Sequence, residues 1–222
     1  MIQTSAATIL KLLQDTLNLP NLLKTNSAPY TTLIVTILSQ NTSDTSTERA
    51  FQNLCKRFEI TPQALSEAQT SKIEECIKVA GLSKNKTKTI QTVSKIILEK
   101  FHGSLEPILS LPLEEARNAL IELPGIGFKT ADVVLLFSAK QPTIPVDTHV
   151  NRVSKRLGLA PVDSDYEEVR RHIQAKFESK DYLTVHLLLI ALGRKYCKAR
   201  KPLCPSCPVT LVCPKNDFGA KK

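Results

Sequence analysis

Apolar residues return along this chain at three- and four-residue steps: Ala50, Leu54 and Phe58; Ile90, Val93, Ile97 and Phe101; Val150, Val153 and Leu157; Val169, Ile173 and Phe177. That period gathers them on one side of amphipathic helices. Two stretches, Thr31 to Leu38 and Leu183 to Leu192, are apolar on more than one face and predict central helices. No stretch alternates apolar and polar residues convincingly enough to predict a strand. Punctuation divides the pattern into about ten helices. Ala80-Gly81 and Phe101-His102-Gly103 end two of them, Leu111-Pro112 opens a short one with Glu114-Glu115 in its first turn, and Gly158 stops a later one. The expected fold class is all-α.

The segment Ala139 to Pro145 carries two prolines, which suits a crossing between two lobes or a long loop within one domain. With 222 residues, 42% of them hydrophobic, the chain can bury a core without a covalent staple. Its apolar runs fall well short of the roughly 20 residues that span a bilayer, so no membrane partner is expected. The start, MIQTSAATILKLLQ, has neither the basic opening nor the cleavage site of a secretory signal. An intracellular monomer, in cytoplasm or nucleoid, is the expectation.

Charge adds a partner class. The formal net charge is +9, with concentrations at Lys84 to Lys88, Lys195 to Lys201 and Lys221-Lys222. Such a surplus suits a polyanion, although a merely soluble basic surface would read the same way. The stretch Leu123-Pro-Gly-Ile-Gly-Phe-Lys-Thr-Ala-Asp-Val-Val134, between two helical patterns, is more specific. Gly125 and Gly127 permit a tight turn with positive φ and unshielded N–H groups. A helix beginning near Lys129 adds its own free N–H groups and positive dipole end, and together these make a pocket for a phosphate oxygen. The alternative is a plain connector with a glycine stop.

Four of the six cysteines, Cys197, Cys204, Cys207 and Cys213, lie within seventeen residues in the spacing C-x6-C-x2-C-x5-C. In a reducing compartment such clusters hold metal more often than disulfides, whereas the isolated Cys55 and Cys76 suit small buried apolar sites. Ligand chemistry leaves zinc and iron–sulfur both open, since four thiolates serve either.

LPGIGFKTA (123 to 131), PTIPVDTHVNRV (142 to 153) and the cysteine tail resemble the endonuclease III family, DNA glycosylases of the helix-hairpin-helix superfamily. LIVTILSQNTSD (33 to 44) and AGLSKNK (80 to 86) extend the resemblance along the chain. It implies two helical lobes: a six-helix barrel with the helix-hairpin-helix over residues 22–141, and a lobe from residues 1–21 plus 142–222 carrying a 4Fe-4S cluster on the four cysteines. The implied partner is double-stranded DNA containing damaged bases or abasic sites.

The resemblance also implies roles. Lys129 matches the catalytic lysine, for which a phosphate contact is the plainer alternative. Asp147 matches the catalytic aspartate and is placed to cap the helix of Val150, Val153 and Leu157. Gly125 and Gly127 would hold the DNA backbone. Leu82 matches the residue that wedges into the base stack, a loop-packing leucine being the alternative. Either Gln40 or Asn41 would fill the space left by a flipped base. Lys198, Arg200 and Lys201, in the longest loop of the cysteine motif, would face phosphates. His149 is left outside catalysis. The implied activity is a glycosylase with lyase action on oxidised pyrimidines. LSQNTSD and Phe128 depart from the commoner family forms, which bears on the lesion and not on the reaction type, so a uracil or thymine mismatch glycosylase is the alternative within the enzyme class. From another class, a noncatalytic damage-binding protein using the same hairpin and cluster is the alternative.

Overall fold

The computed structural model describes residues 5–19 and 28–215, so the expected boundary at residues 21–22 and the Lys221-Lys222 pair lie outside the described residues. Twelve α-helices and no strand occur among the described residues. The chain divides into two compact units, one contiguous (Asn26–Gln141) and one in two parts (Met1–Thr25 and Pro142–Lys222).

The contiguous unit holds α2 (Pro29–Ser39), α3 (Asp44–Cys55), α4 (Pro62–Glu67), α5 (Thr70–Ile77), α6 (Ser83–Phe101), α7 (Glu106–Leu109), α8 (Leu113–Ile121) and α9 (Phe128–Ser138). Six of these have eight or more residues. The remaining two, α4 and α7, are too short to repeat an apolar step, which is why periodicity passes over them. As its two-sided apolarity predicts, α2 is central. Leu33, Ile34, Ile37 and Leu38 are fully buried, and α3, α6 and α9 pack against it. Ser43 and Thr61 cap α3 and α4 by accepting from Ser46 N and Ala64 N, each at 3.2 Å, replacing partners that a helix start otherwise lacks. The end of α6 is set by left-handed His102 (φ 51) followed by Gly103 (φ 79).

The two-part unit holds α1 (Ala6–Thr16), α10 (Thr148–Arg156), α11 (Tyr166–Gln174) and α12 (Tyr182–Lys195). Here α12 is the central helix, with Leu187 to Ile190 buried and with α1 and α10 against it. The approach of α10 to α12 requires Gly193. A Cβ there would stand 2.9 Å from His149 Nδ1 and 3.0 Å from His149 Cβ. No helix among the described residues is long and apolar enough to cross a membrane.

One buried hydrogen bond inside the contiguous unit is open to test. Tyr30 of α2 meets Ser94 of α6, hydroxyl to hydroxyl, at 2.6 Å. Ser94 also donates to Ile90 O, so the tyrosine is the donor in this pair. Burial outweighs the lowering by Ser94 and pushes the Tyr30 pKa up to about 12. A raised folded-state value contributes stability that is present below the unfolded value of about 10 and is lost as pH rises from there through about 12. Tyr30→Phe should therefore cost about 1 kcal/mol at pH 7, yet lose less stability than the wild type between pH 7 and 11. Urea midpoints at the two pH values check this; parallel alkaline losses would refute it.

Candidate functional site

The segment between α8 and α9 forms a hairpin whose turn is dictated by residue type. Leu123 O accepts from Ile126 N at 3.0 Å, enclosing Pro124 and then Gly125, whose φ is +78°. Proline second and a left-handed glycine third is the type II pattern. Space also forbids a side chain, since a Cβ on Gly125 would lie 2.8 Å from the Thr89 side chain on α6. Gly127 departs from the expected positive φ. It is extended (φ −102, ψ 177) and is the N-cap of α9, its carbonyl accepting from Thr130 N and Ala131 N. The N–H groups of Gly125 and Gly127 find no acceptor among the described residues, and both residues are exposed. These are outward-facing backbone donors at the start of a helix, the chemistry that suits an anionic oxygen.

A buried ion pair lies beneath this turn. Arg117 of α8 donates from Nε to Asp132 Oδ1 at 2.9 Å and from Nη2 to Oδ2 at 3.3 Å. Asp132 is fully buried and Arg117 nearly so, and the two residues join the helices on either side of the hairpin. The same guanidinium stands 5.0 Å from the centre of the Phe128 ring, the half-exposed first residue of α9. Lys129 follows in that first turn. Its half-buried amine donates to Ser39 Oγ at the end of α2, at 3.4 Å.

Beyond Ser39 the two predicted amides differ. Gln40 Nε2 turns to the hairpin and donates to Gly125 O and Thr130 Oγ1, both at 3.3 Å. Asn41 is exposed, left-handed (φ 54), and makes no side-chain hydrogen bond among the described residues. Leu82 is also left-handed (φ 49) and is 58% exposed, an unusual combination for a large apolar residue. Its backbone costs roughly 1–2 kcal/mol, and more than half of the residue's surface stays in water. Between these turns lies Lys86, near the start of α6, which the sequence counts with the basic concentration at Lys84 to Lys88 but which does not belong to the surface. It is 3% exposed and donates to Leu38 O at 2.7 Å and to Ala80 O at 2.9 Å, and burial pushes its pKa down.

In the two-part unit Asp147 caps α10 as the sequence predicts, its Oδ1 accepting from Val150 N at 2.7 Å. It borders a recess of about 500 Å³, open to solvent and lined also by Asn151, Ser164, Asp165 and Tyr166. Tyr166 steadies the approach to this residue by accepting from Val146 N. Farther along α10, Arg152 donates to the carbonyls of Thr148, Gly193 and Cys197. Its Nη2 also stands 3.1 Å from His149 Nδ1, which must accept. Burial, with lesser help from Arg152 and Arg194, pushes the His149 pKa down despite Asp147. The imidazole of His149 is thus already engaged by an arginine.

The four clustered cysteines line one recess, together with Arg156, Tyr196 and Val209. Arg156 holds its first loop, donating to Lys198 O at 2.8 Å and Ala199 O at 3.3 Å, with Nη1 3.7 Å from Cys197 Sγ. Its carbonyl accepts from Cys213 Sγ. Burial first, then the neighbouring thiols, push the pKa values of Cys207 and Cys213 up. Among the described residues no three His, Cys, Asp or Glu side chains form a group set to hold one metal ion. Lys198, Arg200 and Lys201 are all exposed around the loop, Lys201 in a left-handed conformation (φ 49).

Gln40, Asn41, Leu82, Gly125, Gly127 and Lys129 thus belong to the contiguous unit. Asp147, Lys198, Arg200, Lys201 and the four cysteines belong to the other. Arg117, Asp132, Lys86, Arg152 and Arg156 went unpredicted. Lys86 carried a usable signal, because it continues the apolar phase of Ile90, Val93 and Ile97, where a charge must find a buried partner.

The profile of HhH-GPD superfamily base excision DNA repair proteins matches residues 34–179. The chain is similar to endonuclease III of Sulfolobus acidocaldarius, 38% identical over 185 residues that cover 83% of this chain and 81% of that protein. It is also similar to two solved structures. One is a trapped endonuclease III–DNA covalent intermediate, at 31% identity and a TM-score of 0.79, covering 94% of this chain and 92% of that one. The other is a non-covalent endonuclease III–DNA complex, at 30% identity and a TM-score of 0.81, covering 94% of both.

The ion pair under the hairpin gives a direct test. Asp132→Ala takes the buried carboxylate from Arg117, leaving it the more exposed Glu114 at 3.8 Å, and should destabilise the protein by about 3–5 kcal/mol. Arg117→Met combined with Asp132→Leu removes both charges and should recover most of that loss. Urea unfolding of the three proteins measures it, and a double variant no more stable than Asp132→Ala would contradict the assignment.

Proposed function

Because this chain belongs to the HhH-GPD superfamily of base excision DNA repair proteins, and within it to the endonuclease III family, we propose that it excises oxidised pyrimidines through Lys129. The general activity follows from membership: it is a DNA glycosylase and abasic-site lyase that acts on DNA. The lesion and the residue roles are our reading. The observation that carries it is the half-buried amine of Lys129, in the first turn of a helix that opens with outward backbone donors. There the adjacent N–H groups attract phosphate.

In this reading the Gly125 and Gly127 amides hold the backbone beside the lesion without reading its sequence. Leu82 enters the stack as the damaged nucleotide leaves it, and the free amide of Asn41 meets the widowed partner base. Gln40, whose amide the hairpin already engages, holds that loop in place. The lone pair of Lys129 Nζ attacks C1′ and the glycosidic bond breaks, its electron pair and a proton leaving with the base. Asp147 stabilises positive charge developing on the sugar. The C1′–O4′ bond then breaks, O4′ taking a proton from solvent, to give a protonated Schiff base between Nζ and C1′ that acidifies the C2′ proton. Loss of that proton expels the 3′ phosphate by β-elimination.

Cys197, Cys204, Cys207 and Cys213 would hold a 4Fe-4S cluster. Their shared recess supports this: four thiols line it, and burial resists the ionisation of Cys207 and Cys213, which cations would favour as thiolates. The group would supply structural cross-linking of the loop that displays Lys198, Arg200 and Lys201 to phosphates. An intracellular site of action goes with this chemistry.

Two outcomes are expected. Borohydride should trap a covalent adduct with abasic duplex, and Lys129→Ala should abolish it; an adduct surviving in that variant, or none in the wild type, would overturn the mechanism. A panel of duplexes carrying oxidised pyrimidines, uracil or thymine mismatches decides the lesion. The purified protein should absorb in the visible and carry about four irons per chain, and Cys204→Ser should lose both; stoichiometric zinc would refute the cluster.

A further inference from the structure

Lys86 is a buried cation without a carboxylate partner among the described residues. An unbranched apolar residue of the same length would fill its place without desolvating a charge, so packing does not explain it. Its two acceptors do. Leu38 O lies at the end of α2 and Ala80 O closes the short 3-10 turn Lys78–Ala80, and both are carbonyls where a helical run leaves partial negative charge unpartnered. Each stands just before an exposed left-handed residue: Asn41 three positions after Leu38, and Leu82 two positions after Ala80. One ammonium group therefore ties together the stems of two separate turns. Ser39 and Gln40, between Leu38 and Asn41, connect the same stem to Lys129 and to the hairpin.

We infer that Lys86 is a positioning residue for nucleotide flipping, holding the Leu82 and Asn41 turns in fixed register so that both enter the duplex together. This rests on the roles proposed above for Leu82 and Asn41. It predicts a defect confined to opening the duplex. A single-stranded abasic oligonucleotide has no stack to wedge and no partner base to meet, so its reaction with Lys129 needs neither turn.

The test uses the full-length, cluster-loaded protein. Lys86→Met keeps the stem and removes the donors. It should slow single-turnover base excision from duplex by about tenfold or more. It should equally weaken the fluorescence rise of 2-aminopurine placed opposite the lesion, while borohydride trapping on single-stranded abasic DNA stays within about twofold. In a Leu82→Ala/Asn41→Ala background the same substitution should add almost nothing, because the groups it positions are gone. Equal loss on both substrates, no loss on either, or full additivity in that background would overturn the inference. Should Lys86→Met fold too poorly to assay, Lys86→Gln, which can serve only one of the two carbonyls well, must show the same split. Normal flipping by Leu82→Ala/Asn41→Ala would instead remove the roles given to those two residues. Impaired flipping there with an inert Lys86→Met would remove only this proposal.

Discussion

The bidentate pair between Arg117 and Asp132 is the constraint on which the contiguous unit's surface depends. It crosses from α8 to α9 out of contact with water, so the helices flanking the hairpin cannot separate without exposing or stranding a charge. With the helices pinned, Gly125 is held against Thr89 and its carbonyl is offered to Gln40. The start of α9 is fixed as well, and with it the amine of Lys129. The same guanidinium faces the Phe128 ring, so an aromatic residue at this exposed position is tied to the buried pair.

The two-part unit relies on a different device. Two arginines on α10 reach the backbone of the cysteine loop, Arg152 at Cys197 and Arg156 at Lys198 and Ala199. Gly193 lets α12 come near enough for this, leaving the space that a Cβ would take to His149 and Arg152. Asp147 begins the helix these arginines lie on. One short element thus carries a capped carboxylate at its start and the supports of the cysteine loop toward its end.

Much of this was legible in the sequence because it is local. A 3.6-residue period marks helices, two-sided apolarity marked α2 and α12 as central, and Asp147 before an apolar helix read as its cap. The turn in LPGIG followed from proline and glycine chemistry, although only Gly125 uses the left-handed freedom expected of both glycines. What stayed hidden is non-local. Arg117 and Asp132 are fifteen residues apart, and nothing in either neighbourhood names the other. Lys86 meets carbonyls, which every residue possesses, so its partners leave no sequence mark at all. Which of the neighbouring amides Gln40 and Asn41 the hairpin captures is likewise a matter of tertiary geometry.

The two-part unit draws on both ends of the chain, α1 packing on α12 across nearly the whole sequence. Such an arrangement has a temporal side. During synthesis the contiguous unit emerges with all of its core residues and can close as soon as α9 clears the ribosome. Helix α1, though made first, must carry Ile9 and Leu13 uncovered until α12 appears. The cysteine loop comes later still, so a ribosome-bound chain already owns a finished hairpin before its four clustered cysteines have emerged. Truncation late in translation would leave the contiguous unit folded and attached to an unfinished partner, exposing apolar surface for chaperones and proteases to recognise.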